Sequence, residues 1–81
     1  MNKTRIDKAC IDWCFNDDSN GRYKFIVPRA EHDLTVGDKV TVRMLVWNEE
    51  QTVTIEDVHD DGIVVKTDWI DISEEYKIEK I

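Results

Sequence analysis

Four stretches of this chain alternate apolar and polar residues with a period of two, the spacing of a strand with one buried face. From Arg22 to Val27, Tyr23, Phe25 and Val27 fall on one side, and Pro28 ends the run because it has no N–H to give. From Lys39 to Trp47, Val40, Val42, Met44 and Val46 face one way and Thr41, Arg43, Leu45 and Trp47 the other. Apolar residues on both sides of its far end point to a strand covered on both faces there. Gln51 to Val58 alternates through Val53 and Ile55, and Ile63 to Asp68 through Ile63, Val65 and Thr67. β-branched residues dominate these runs, as a pleated, half-buried surface prefers. The expected core is Val40, Val42, Val53, Ile55, Ile63 and Val65.

The connections carry turn chemistry. Asn48-Glu49-Glu50-Gln51 makes a polar tip, and His59-Asp60-Asp61-Gly62 ends in Asp-Gly, whose glycine is expected to take a positive φ. Gly37 supplies freedom before the long strand. Trp69 to Ser73 reads as a short turn or one-turn helix, and Tyr76 to Ile81 as a last short strand. The N-terminal stretch fits two patterns. As a helix, Ile6, Ala9, Cys10, Trp13 and Cys14 share a face, with Thr4 and Asp7 as a capping pair. As a strand, Ile11, Trp13 and Phe15 alternate with Asp12, Cys14 and Asn16, and residues 16–21 form a hairpin loop. The two together favour a short helical turn at 4–9 running into a strand at about 10–15.

Five or six antiparallel strands at spacings of about 8–12 residues predict a mainly β fold, a small barrel or tightly rolled sheet with a short N-terminal helix. From Val40 onward the spacing resembles small barrels of the Src-homology-3 or Tudor kind. That resemblance spans about half the chain and implies a fold only. The 81 residues suffice for one domain, 1–81, since a single core needs most of such a chain to close.

Charge changes the picture more than composition does. The net charge is −7, with residues 1–29 at +2 and residues 30–81 at −9. Such acidity repels phosphate and favours a basic protein partner or plain solubility. No apolar stretch approaches the ~18 residues of a membrane span. The N-terminus has a basic start without an apolar segment behind it, so an intracellular, cytoplasmic protein with free thiols at Cys10 and Cys14 is expected.

Candidate chemistry is sparse. Cys10 and Cys14 are the only thiols, and His32 and His59 the only imidazole bases. No redox spacing or helix-opening glycine marks either cysteine, so both read as core or half-buried thiols. No second ligand pair accompanies Cys10-x3-Cys14, and Glu56 to Asp61 lacks the ligand spacing of a calcium loop. Neither a metal nor a cofactor is expected, and the chain reads as non-catalytic. Three tryptophans in so short a chain are the oddity. Trp13, Trp47 and Trp69 stand near strand ends beside carboxylates. Large aromatics ordinarily enter the core. The alternative is an aromatic and acidic rim that meets Lys or Arg of a partner. The rim would comprise Trp47, Glu49, Glu50, Asp68, Trp69, Asp71 and Tyr76. A protein-interaction domain is therefore expected, an acidic inhibitor or accessory factor that meets a basic protein surface, with nucleic-acid mimicry as one form of it. The other reading is a nucleic-acid-binding barrel that uses Tyr23 and Phe25 with Arg22, Lys24 and Arg29.

Overall fold

The computed structural model describes residues 3–15 and 21–81. Six strands form: β1 (Arg5–Ile11), β2 (Arg22–Ile26), β3 (Lys39–Met44), β4 (Glu50–His59), β5 (Gly62–Lys66) and β6 (Glu75–Lys80). All neighbours are antiparallel and the sheet closes on itself in the order β1-β2-β5-β4-β3-β6. The small antiparallel barrel expected from the alternation is present. All six expected core residues are buried, joined by Ile6, Ala9, Ile11, Phe25, Val27, Leu34, Met44, Tyr76 and Ile78. Phe25 of β2 and Tyr76 of β6 meet edge to face across the interior, with ring centroids 5.5 Å apart.

The expected N-terminal helix is not formed: residues 5–11 are strand. A register shift explains the misleading pattern. Ile6 pairs with Ile78 and Ala9 with Tyr76, so β1 spends three steps where β6 spends two. Asp7 and Lys8 are both exposed across this bulge, while Ile6 and Ala9 both face inward. Their separation of three imitates a helical face. The expected hairpin loop at 16–21 lies, except for Gly21, outside the described residues.

Two further expectations need correcting. β3 stops at Met44, and Leu45, Val46 and Trp47 are exposed in the turn rather than covered on both faces. Gly62 has no positive φ; the positive-φ glycines are Gly21 and Gly37. Gly62 opens β5 opposite Ile26, where a Cβ would collide with the Phe25 carbonyl oxygen and the Lys24 side chain. Glycine is needed there for close approach of a neighbouring backbone.

Two connections join strands that are not neighbours, and each crosses one end of the barrel. The β2–β3 connection closes the lower end, where β1 begins and β6 ends. It carries a 3-10 turn (Arg29–Glu31) and buries Leu34 and His32. Lys3 fastens it through its amide to Asp33, its carbonyl from the Asp33 N–H, and its ammonium to the Ala30 carbonyl at 2.7 Å. His32 Nδ1 accepts the Leu34 N–H at 3.0 Å, which leaves the neutral ring's proton on a buried Nε2 with no partner. The β5–β6 connection, residues 67–74, crosses the upper end. Trp69 and Ile70 on it pack against the core.

Two tests follow from this packing. Gly62→Ala should cost about 2 kcal/mol, by overpacking, and lower the midpoint of thermal unfolding by roughly 10 °C; a midpoint within a degree or two of wild type would mean the crowding is absent. The second concerns pH. Burial, and then the Arg29 charge, lower the pKa of His32 from its ordinary 6.5. The unfolded chain therefore binds the proton more readily, so this contribution is complete above pH 6.5 and shrinks as pH falls below it. Asp38, Asp61 and Asp71 are also held below the ordinary 3.8, so their contributions fade only in more acid solution. His32→Asn keeps an acceptor for Leu34 but cannot titrate. Denaturant unfolding between about pH 5 and 6.5 should show a slope for wild type and a smaller one for this variant.

Candidate functional site

All three tryptophans lie on connections that converge on the upper end of the barrel. Trp13 follows β1, Trp47 lies between β3 and β4, and Trp69 lies between β5 and β6. Trp13 and Trp47 are each 70% exposed, whereas Trp69 is half-buried against the core. Among the described residues eight large apolar side chains are exposed, and five of them (Trp13, Leu45, Val46, Trp47 and Ile72) belong to these connections.

The β3–β4 hairpin and the β5–β6 connection are tied together. Gln51, second residue of β4, donates from Nε2 to the Trp69 carbonyl at 2.7 Å and accepts the Asp68 N–H at 3.2 Å. Leu45 N–H donates to the Glu75 carbonyl at 3.1 Å. The next turn is held by Tyr76, whose hydroxyl accepts the Asp71 N–H at 2.8 Å and donates to the Asp71 carbonyl at 3.0 Å. Burial raises the pKa of that phenol, so it stays protonated as this bond requires. Ser73 donates to the Asp71 carboxylate from its hydroxyl, at 2.6 Å, and from its amide, which holds the Asp71 pKa down.

Six of the seven expected rim residues therefore share this end: Trp47 and Glu49 on the hairpin, Glu50 at the start of β4, and Asp68, Trp69 and Asp71 on the crossing. Tyr76 does not belong to the rim. It is wholly buried, because β6 turns it inward to meet Phe25, and it supports the rim through Asp71. Trp13, Leu45, Val46, Ile72 and Glu74 belong to the end as well. The hairpin residues were hidden by reading β3 three residues too long. Asn48, which takes φ 60° and accommodates that left-handed conformation better than most residues, marks where the turn is already under way.

Charge is distributed unevenly over the molecule. Among the described residues most carboxylates sit beside a base, for example Asp61 and Asp12 with Lys24, Glu75 with Lys8, Glu50 with Arg43 and Asp38 with Lys80. Among the described residues seven carboxylates lack a basic partner: Glu31, Asp33, Glu49, Asp68, Asp71, Glu74 and Glu79. Four of the seven (Glu49, Asp68, Asp71 and Glu74) lie at the tryptophan end, where no described ion pair offsets them.

The thiols and imidazoles are kept apart by the barrel. Cys10 and Cys14 are free and, contrary to the expectation of core or half-buried thiols, exposed at the upper end. Cys10 alternates outward between the inward Ala9 and Ile11, and Cys14 sits in the turn after β1. Desolvation, and then the Glu75 carboxylate 3.6 Å from its sulfur, raise the Cys10 pKa, which disfavours the reactive thiolate. His32 and His59 both lie toward the lower end. Among the described residues no group of three or more His, Cys, Asp or Glu could hold a metal ion, and no helix is long and apolar enough to cross a membrane.

Of the two aromatics expected to stack bases, one is inside the barrel and the other half-buried. Phe25 is wholly buried and Tyr23 packs against the core. Lys24, with Asp61 2.7 Å away, and Arg29, beside Asp60, are engaged by acids, as is Arg22 by Glu56. No family model matches the chain, and no curated protein or solved structure does either. The class defined here is a closed six-stranded antiparallel barrel with an exposed apolar and acidic end.

Gln51→Ala should release the crossing while sparing the barrel. A stability loss of about 1–2 kcal/mol is expected from two hydrogen bonds. Hydrogen exchange should accelerate at Asp68 more than at Val42 or Ile78; equal protection of the Asp68 amide in both proteins would show that Gln51 does not hold it.

Proposed function

We propose that this chain is a non-catalytic protein-interaction domain that docks a basic surface of another protein through the tryptophan end of its barrel. One observation carries the reading: among the described residues, most of the exposed large apolar side chains and most of the unneutralised carboxylates occupy the same end. Exposed aromatics rimmed by charge mark interaction surfaces more often than solubility does. Glu49, Asp68, Asp71 and Glu74 attract a basic partner over about a Debye length, ~8 Å at physiological salt, and Trp47 and Trp13 supply area that becomes buried on contact. Such a domain suits an inhibitor or accessory factor in the cytoplasm. An ordered set of carboxylates in a partner's phosphate-binding groove is one form of it. The nucleic-acid reading finds no support in the placement of Tyr23 and Phe25.

The test uses the immobilised chain and lysate of its native cell. Retained proteins should carry basic surfaces, and Glu49→Lys with Asp68→Lys, neither of which breaks an ion pair, should slow their association about tenfold at low salt. The difference should shrink toward 1 M salt, where the Debye length is about 3 Å. Association at the wild-type rate by this folded variant, or retention of single-stranded nucleic acid in place of protein, would refute the reading.

A further inference from the structure

The β3–β4 turn presents Leu45, Val46 and Trp47 in succession, 43%, 62% and 70% exposed. Three consecutive apolar residues in water are a cost that folding alone does not require. The turn is nevertheless built firmly. Met44 N–H donates to the Glu49 carbonyl at 2.8 Å, and Asn48 N–H donates to the Met44 carbonyl at 3.0 Å. Asn48 takes the left-handed φ that reverses the chain, and the Leu45 N–H is anchored on Glu75. The apolar tip thus stands on a satisfied backbone and does not have to be ordered when it binds.

Trp69 and Ile70 close this end of the barrel from inside. Two grooves on the barrel wall are lined mainly by polar and charged residues, one by Thr41, Arg43, Glu50, Lys77 and Glu79, the other by Lys39, Thr52, Thr54, Glu56, Lys66 and Asp68 with Val53. A projecting apolar tip fits a concave apolar surface. Its border of Glu49, with Asp68, Asp71 and Glu74 on the connection tied to the hairpin root, fits a cationic margin around that hollow.

We infer that the hairpin tip is a preorganised key, and that its lock is an apolar cleft bordered by Lys and Arg on the partner protein. This inference rests on the docking reading above and adds the direction of insertion. A second copy is a poor occupant, since it would bring the same uncompensated carboxylates face to face. An anionic bilayer repels them likewise.

The experiment places a photocrosslinking phenylalanine analogue at position 47, at 72, or at 36 on the opposite end, in the full chain, and maps crosslinked peptides from native-cell lysate. Position 47 should label a partner peptide that lines an apolar cleft with Lys or Arg at its edge, and Trp47→Ala should speed that partner's release about thirtyfold. Because Trp47 is 70% exposed, this variant keeps the fold. Labelling from 72 but not 47, or unchanged release by Trp47→Ala, would overturn the key while leaving the docking end standing. Labelling from 36 alone, or from no position, would remove both. A variant whose sole tryptophan is Trp47 should show no blue-shifted emission with phosphatidylcholine vesicles, with or without phosphatidylserine. A shift there would make the tip a membrane anchor and overturn the inference.

Discussion

The whole structure depends on β6 pairing on both of its edges. Glu75–Lys80 lies between β1 and β3 and converts an open sheet into a closed one. An edge strand leaves a row of backbone donors and acceptors unmet, and an 81-residue chain has little other surface with which to cover it. Closure removes that problem at the cost of topology, because the strands that become neighbours are not always consecutive. β2 and β3 stand opposite one another, with two strands between them either way around the barrel, as do β5 and β6. The chain must therefore cross both mouths.

These two crossings give the ends opposite characters. The lower one is drawn inward, with Leu34 and His32 buried and Lys3 fastening it. The upper one is held from the side by Gln51 and from below by the Tyr76 hydroxyl. Its first half packs Trp69 and Ile70 onto the core, and its second half leaves Ile72 and the carboxylates outside. The core contact between Phe25 and Tyr76 thus reaches the surface in two steps: ring against ring within the barrel, then hydroxyl to Asp71 at its rim.

Much of this was legible in the sequence, and the failures have physical causes. Alternation located four strands, and Val40, Val42, Val53, Ile55, Ile63 and Val65 all went inward where the period put them. The same rule failed at β1, where a bulge puts Ile6 and Ala9 on one face at a helix-like spacing. It failed again past Met44, since an apolar run that continues a strand and one that decorates a turn look alike. Gly62 was read by its neighbour Asp61, whereas its role is set by the Phe25 backbone, distant in sequence. The site was legible in kind: tryptophans beside carboxylates at strand ends. That the three ends coincide is a product of strand order, which single-residue patterns do not encode. Tyr76 was assigned to the rim for the same reason, its inward face being fixed by β6 pairing.

The net charge alone would be explained by solubility; its placement is harder to explain that way. Acids that serve solvation gain nothing from lacking a base, yet the tryptophan end holds four that do, while Lys24 draws two carboxylates to itself elsewhere. Two like charges about 4 Å apart repel by ~1 kcal/mol in bulk water and ~4 kcal/mol at the effective dielectric of a protein surface. Uncompensated carboxylates around an exposed apolar tip therefore act in two directions at once. They oppose the self-association that Leu45, Val46 and Trp47 would otherwise promote, and they lower the free energy of contact with a cationic margin. Because screening limits both effects to about 8–10 Å, in the proposed docking the selection would operate at the rim of the contact and leave its centre to the tryptophan ring. On that reading the end would discriminate by charge and hold by apolar burial, on a closed barrel that supplies the rigidity both require.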